Sequence, residues 1–179
     1  YFSEAIYSRA LEALGYEVLD HQELENAAFY EAVAKGDVDF WANVWFPIHN
    51  TYLDLYNGEA SIAGTVAAFG ALQGFLVDKA RAEEFNISSL ADFRRDEVRL
   101  AYDADGNGKA DLIGCQSDWG CAKIVGFQLD NGGLREFVDE YTGPYSEGVR
   151  NQIARFRKGG HVLFYTWTPN WTVAQLKPG

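Results

Sequence analysis

Residues 24–45 read LENAAFYEAVAKGDVDFWANVW, and the fold class turns on them. Leu24 to Lys35 reads as a helix, with Gly36 as its C-terminal stop. Val38 to Trp45 follows with the character of a strand and ends before Pro47, which cannot donate to a ladder. The same order occurs upstream. Phe2 to Leu14 carries apolar residues at 2, 6, 10, 13 and 14, Gly15 stops it, and Tyr16-Glu17-Val18-Leu19 alternates like a short strand. Helix–strand–helix–strand alternation is the mark of βαβ units, so the expected class is α/β with a parallel sheet.

Downstream, Ala71 to Val77 reads as a strand and Lys79 to Phe85 as a short helix. Ser89-Leu90-Ala91-Asp92 has the spacing of a capping box, which predicts a helix start. Asp103 to Cys121 shows neither period and reads as a loop. Ser146 is expected to cap a helix whose stripe is Val149, Ile153 and Phe156; Gly159-Gly160 ends it, and Val162 to Trp167 reads as a buried strand.

The 179 residues include 15 Lys+Arg against 26 Asp+Glu, a net charge of −11. So acidic a chain is a poor partner for nucleic acid or an anionic membrane, which require a basic face. The longest apolar stretch, Gly64 to Val77, is interrupted by glycines and Gln73 and is too short to span a bilayer. The chain contains no Met and opens at Tyr1, from which a missing natural N-terminus is expected. Cys115 and Cys121 lie close together, which favours a local disulfide and an oxidising compartment over two buried thiols.

Ligands of open α/β sheets bind where strands run into loops at their C-terminal ends. Trp45 and Trp167 end two of the expected strands, each followed two positions later by Pro, and Trp119 lies between the cysteines. Indole faces attract cations that cannot donate hydrogen bonds, at roughly 0.5–2 kcal/mol per face, so three could hold a quaternary ammonium group. Any single Trp taken alone is more readily a core residue, and the recurrence of Trp-x-Pro at two strand ends shifts the reading toward a site. Backbone N–H groups of Gly120 and Cys121, in a glycine-rich loop, could form a nest for an anionic end. His49, four residues beyond Trp45, could donate to a carboxylate or be satisfied locally by backbone.

Asp103, Asp105, Asn107 and Asp111 occupy oxygen-ligand positions of a calcium loop, with Gly106 at the turn. Gly114 stands where the bidentate Glu belongs, so a complete EF-hand is excluded; a turn held by its own side chains is the reading preferred to calcium. No other cofactor is expected. Cys121 with His49 could also be a thiol nucleophile and base, an enzyme reading that a disulfide would remove. No phosphate loop, zinc spacing or nucleophile elbow occurs.

In several segments the chain resembles the periplasmic glycine betaine-binding proteins of osmoprotectant ABC importers, the ProX-like (OpuAC-type) family. They are Ser8 to Tyr16, Trp45 to His49, Gly70 to Lys79, Asp105 to Leu112, the Cys115–Cys121 loop, and Tyr165-Thr166-Trp167-Thr168-Pro169-Asn170-Trp171. The resemblance implies a two-lobed type II periplasmic binding fold, with residues 1–75 part of lobe one and 76–179 lobe two. It implies a three-Trp box at Trp45, Trp119 and Trp167, and carboxylate contacts at His49 and the N–H groups of Gly120 and Cys121. A Cys115–Cys121 disulfide is implied as well. Family members are longer at both ends, so the chain is expected to be a fragment lacking an N-terminal strand and a C-terminal segment. The implied role is a monomeric, non-enzymatic, periplasmic or lipid-anchored protein delivering a quaternary ammonium ligand to an ABC permease. Choline, carnitine, proline betaine, a sugar beside a calcium-ordered loop, and a sensing domain fused to a permease remain as alternatives.

Overall fold

The computed structural model describes residues 2–56, 58–67 and 71–176. Gly70, which opens the Gly70–Lys79 segment, lies outside them. The chain divides into two compact units, Tyr1–Val66 and Ala67–Gly179.

Among the described residues the first unit holds three helices, α1 (Phe2–Ala13), α2 (Asn26–Lys35) and α3 (Asn50–Leu55). The expected strands at 16–19 and 38–45 do not form, and the backbone hydrogen bonds explain why. The N–H of Tyr16 is spent on the carbonyl of Leu11, closing α1. Gly36 takes the left-handed conformation (φ 78°), and its N–H, with those of Asp37 and Val38, caps α2 on Ala32 and Val33. Trp41 is held by aromatic neighbours rather than by a ladder. Its ring lies 4.2 Å from that of Phe29, and the buried residues described in this unit are Phe29, Tyr30, Ala42 and His49.

The second unit is a four-stranded sheet in the order β1-β4-β2-β3, flanked by helices. β1 (Gln73–Val77) runs antiparallel to β4 (Leu163–Trp167), with Gln73 opposite Trp167 and Val77 opposite Leu163. β2 (Ala110–Ile113) is parallel to both β4 and β3 (Val138–Tyr141), with Ile113 opposite Phe164 and Tyr141. The class is α/β, as expected. The parallel pairs, however, lie in this unit rather than in the one whose alternation suggested them.

β2, β3 and α6 (Gly120–Asn131) arise in or just after the stretch read as loop. Both strands are only four residues long, and on β2 every position except Asp111 is buried, a pattern with no alternation to read. Leu112, Val125, Leu129, Val138 and Leu163 pack between the sheet and α6. On the other face, Ile113, Val149, Ile153 and Phe164 pack beneath α7 (Tyr145–Phe156). Each fully buried aliphatic side chain contributes about 1.5–3 kcal/mol, so these two layers carry the stability of the unit.

Three smaller expectations are refined. Helix α4 spans Lys79–Glu84 and is capped by Asp78, whose Oδ1 accepts from the Arg81 N–H at 3.1 Å. The capping box forms: Asp92 Oδ2 accepts from the N–H groups of Ser88 and Ser89, both at 2.9 Å, opening a 3-10 turn (Leu90–Arg94) ahead of α5 (Asp96–Ala101). Ser146, in contrast, is not the cap of α7. The helix starts at Tyr145 with Pro144 as N-cap, because burying the Tyr145 side chain draws that residue into the first turn.

Candidate ligand-binding site

In the second unit the three parallel strands β2, β3 and β4 release the chain at one edge of the sheet, and an aromatic residue stands at or beyond each end. Trp119 is the N-cap of α6 after β2, Tyr145 opens α7 after β3, and Trp167 is the last residue of β4. Their rings meet. Trp119 and Trp167 lie 5.6 Å apart at 75°, so two indole planes form the corner of a box. Tyr145 touches both, at 5.5 Å from Trp119 and 5.0 Å from Trp167. The Tyr145 hydroxyl donates to the Tyr165 carbonyl at 2.8 Å, and burial pushes this phenol up to about 12, so it remains a neutral donor. Sequence reasoning found both tryptophans and missed Tyr145, since nothing marks one Tyr among ten before its helix is placed.

The anion half of the expected site lies beside this corner. Cys115 and Cys121 are joined by a disulfide with a Cα–Cα distance of 5.9 Å, tying the exit of β2 to the first turn of α6. Gly120 and Cys121 are the first two residues of that twelve-residue helix, where N–H groups have no intrahelical acceptor and the dipole favours negative charge. The Trp119 carbonyl accepts from Ala122, which fixes the turn. The enzyme reading ends here: a cysteine in a disulfide supplies no nucleophilic thiolate.

Trp45 and His49 belong to the first unit, in one turn closed by the His49 N–H donating to the Trp45 carbonyl at 2.9 Å. The Trp45 indole N–H donates to Asn43 Oδ1 at 2.8 Å. His49 is only 4% exposed; it stacks on Trp41 (5.6 Å, 26°) and has Tyr30 Oη 3.3 Å from its Nδ1. Burial, with the nearby Tyr52 adding to it, pushes the Tyr30 phenol up to about 12, and burial lowers the His49 pKa below its usual value. The lowered pKa favours the neutral imidazole, in which one ring nitrogen donates and the other accepts. Trp41, Tyr30 and Tyr52 form a bed around His49 that the sequence did not reveal. Both Trp-x-Pro steps contain a cis peptide, Phe46–Pro47 and Thr168–Pro169.

The acidic loop is organised by its own side chains. Asp103 accepts from the N–H groups of Gly106, Asn107 and Gly108; burial works to raise its pKa, but these donors outweigh it and hold the carboxyl below its ordinary value. Asp105 accepts from Asn107, and Asp111 accepts from Ala104 and pairs with Arg155 at 3.2 Å. Among the described residues no group of three or more His, Cys, Asp or Glu is placed to hold a metal ion. Gly114 stands where a calcium loop has Glu, and a Cβ there would press on the Glu140 side chain.

Comparison with known proteins identifies the family. A family model described as the substrate binding domain of an ABC-type glycine betaine transport system matches residues 1–177. The glycine betaine/proline betaine-binding periplasmic protein of Salmonella typhimurium is 36% identical over 179 residues, covering 99% of this chain and 54% of the relative. The chain thus spans about half the length of that relative. Lactococcal OpuAC, solved in a closed-liganded conformation with glycine betaine, superposes with a TM-score of 0.74 at 18% identity, covering 97% of this chain and 62% of that one. An ABC-transporter choline-binding protein in complex with choline gives 0.73 at 20% identity, over 97% and 57%. These two likenesses establish the fold. No helix among the described residues is long and apolar enough to cross a membrane. The match over residues 1–177 makes this chain a member of the family of substrate-binding domains of ABC-type glycine betaine transport systems.

Proposed function

We propose that the chain is the ligand-capturing part of a periplasmic or otherwise extracytoplasmic binding protein, which takes up glycine betaine or a close quaternary ammonium analogue and delivers it to an ABC permease. The observation that carries this reading is the adjacency of two opposite recognition elements in one loop. Trp119 supplies an electron-rich face to the corner it makes with Trp167, and the next two residues are the N-terminus of α6. A zwitterion needs both. The ligand set comprises Trp45, Trp119 and Trp167 for the trimethylammonium group, and His49 with the N–H groups of Gly120 and Cys121 for the carboxylate. Residues 1–75 belong to lobe one and 76–179 to lobe two, and capture works as a monomer by selecting a closed state that the permease reads.

A second reading, choline capture, is supported by the choline-binding structural neighbour. It makes no use of a helix N-terminus, because choline has no carboxylate. Calorimetric titration with glycine betaine, choline and a neutral sugar, on a chain carrying both lobes, separates the readings. Micromolar binding of betaine alone is expected; equal binding of betaine and choline would discard the carboxylate site, and binding of the sugar alone would overturn quaternary ammonium capture.

A further inference from the structure

Tyr145 has no place in the ligand set above, yet its ring is in contact with both indoles of the corner. It is 2% exposed, so it presents no face to a ligand. Its plane is tilted 42° to Trp119 and 34° to Trp167, while the indoles stand 75° to each other. One ring packed against two walls fixes the angle between them, because turning either indole opens a void against Tyr145 or collides with it. The Tyr145 ring is itself pinned. Its hydroxyl is bonded to the carbonyl of Tyr165, two residues before Trp167 on β4, and the ring packs in the cluster of Ile113, Val149 and Ile153.

We propose that Tyr145 is a positioning residue that sets the angle between Trp119 and Trp167, and through it the fit of the corner to a tetrahedral quaternary ammonium head. The inference rests on the capture reading for its ligand but not for its geometry, so the two fail separately. Tyr145→Phe keeps the core filled and removes only the anchor on Tyr165; Tyr145→Leu removes the ring; Val149→Ala, in the same cluster, controls for lost packing. Two quantities are read on the whole chain with both lobes: the near-ultraviolet circular dichroism of the indoles without ligand, and Kd for tetramethylammonium.

The expected result is a reduced indole band and about a threefold higher Kd for Tyr145→Phe. Tenfold or more, with loss of the band, is expected for Tyr145→Leu. Val149→Ala should lower the melting midpoint while leaving band and Kd at wild-type values. Wild-type band and Kd in Tyr145→Phe would overturn the proposal, and so would equal losses in Val149→Ala; neither of these outcomes needs Tyr145→Leu to fold. Should the wild-type chain ignore tetramethylammonium, the capture reading has failed, and the band alone upholds or overturns the role of Tyr145.

Discussion

His49 and Trp119 show how much a single side chain can be asked to do. His49 lies in an aromatic bed with its pKa lowered by burial, which makes the neutral ring part of the folded state. The sign follows from linkage: the unfolded chain binds a proton near pH 6.5 while the folded chain resists it, so acidification below that value favours unfolding until the pH passes the depressed folded pKa. In urea melts at pH 7.5 and 5.5, the stability advantage of wild type over His49→Gln should shrink at the lower pH; an unchanged gap would contradict this. Trp119 packs against both core layers as well as facing Trp167. Trp119→Ala is therefore expected to lower the melting midpoint and, below it, to weaken glycine betaine binding roughly 2- to 30-fold, the worth of one cation–π face. Wild-type affinity in that variant would remove Trp119 from the site.

At the scale of elements, the helices with glycine stops were legible and the short strands were not. Gly36 and Gly159 adopt positive φ where α2 and the turn after α7 end, a demand that sequence displays directly. β4 was visible as a continuous apolar run ending at Trp167, one residue shorter than expected. β2 and β3 have four residues each and sit among Asp, Glu and Gly, so their strand identity comes from pairing with β4 and with each other. The reverse error at 16–19 and 38–45 has the same cause: strand-like composition makes a strand only where a partner ladder exists. The pair of cysteines was legible, and its effect is local. Its bridge closes a loop with a sequence separation of 6 between β2 and α6. On loop entropy, replacing both cysteines with Ser should cost about 2 kcal/mol in a denaturant melt. A double variant as stable as wild type would show that the helix start is held without the bridge.

The two units differ in how much they bury. The second has two continuous layers of fully buried aliphatic and aromatic side chains, while the first leaves Leu14, Tyr16, Leu19, Leu55 and Ile62 exposed. Few buried contacts mean low local opening free energy. Hydrogen exchange is therefore expected to be faster for amides of α1–α3 than for those of β2, β4 and α6, and uniform protection would contradict that difference. The proposed ligand set was legible as residues and not as geometry: spacing pointed to Trp119 and Trp167, whereas the angle between their rings and the contact of Tyr145 with both emerge only when three strands end at one edge. In the proposed site a cation is held by aromatic faces. Glycine betaine is to be compared with 3,3-dimethylbutanoate, which keeps the carboxylate and the tetrahedral shape but replaces the charged nitrogen with carbon. Competitive titration should show the carbon isostere binding at least tenfold more weakly; equal affinity for the two would mean that shape and carboxylate alone are recognised, and would contradict the account.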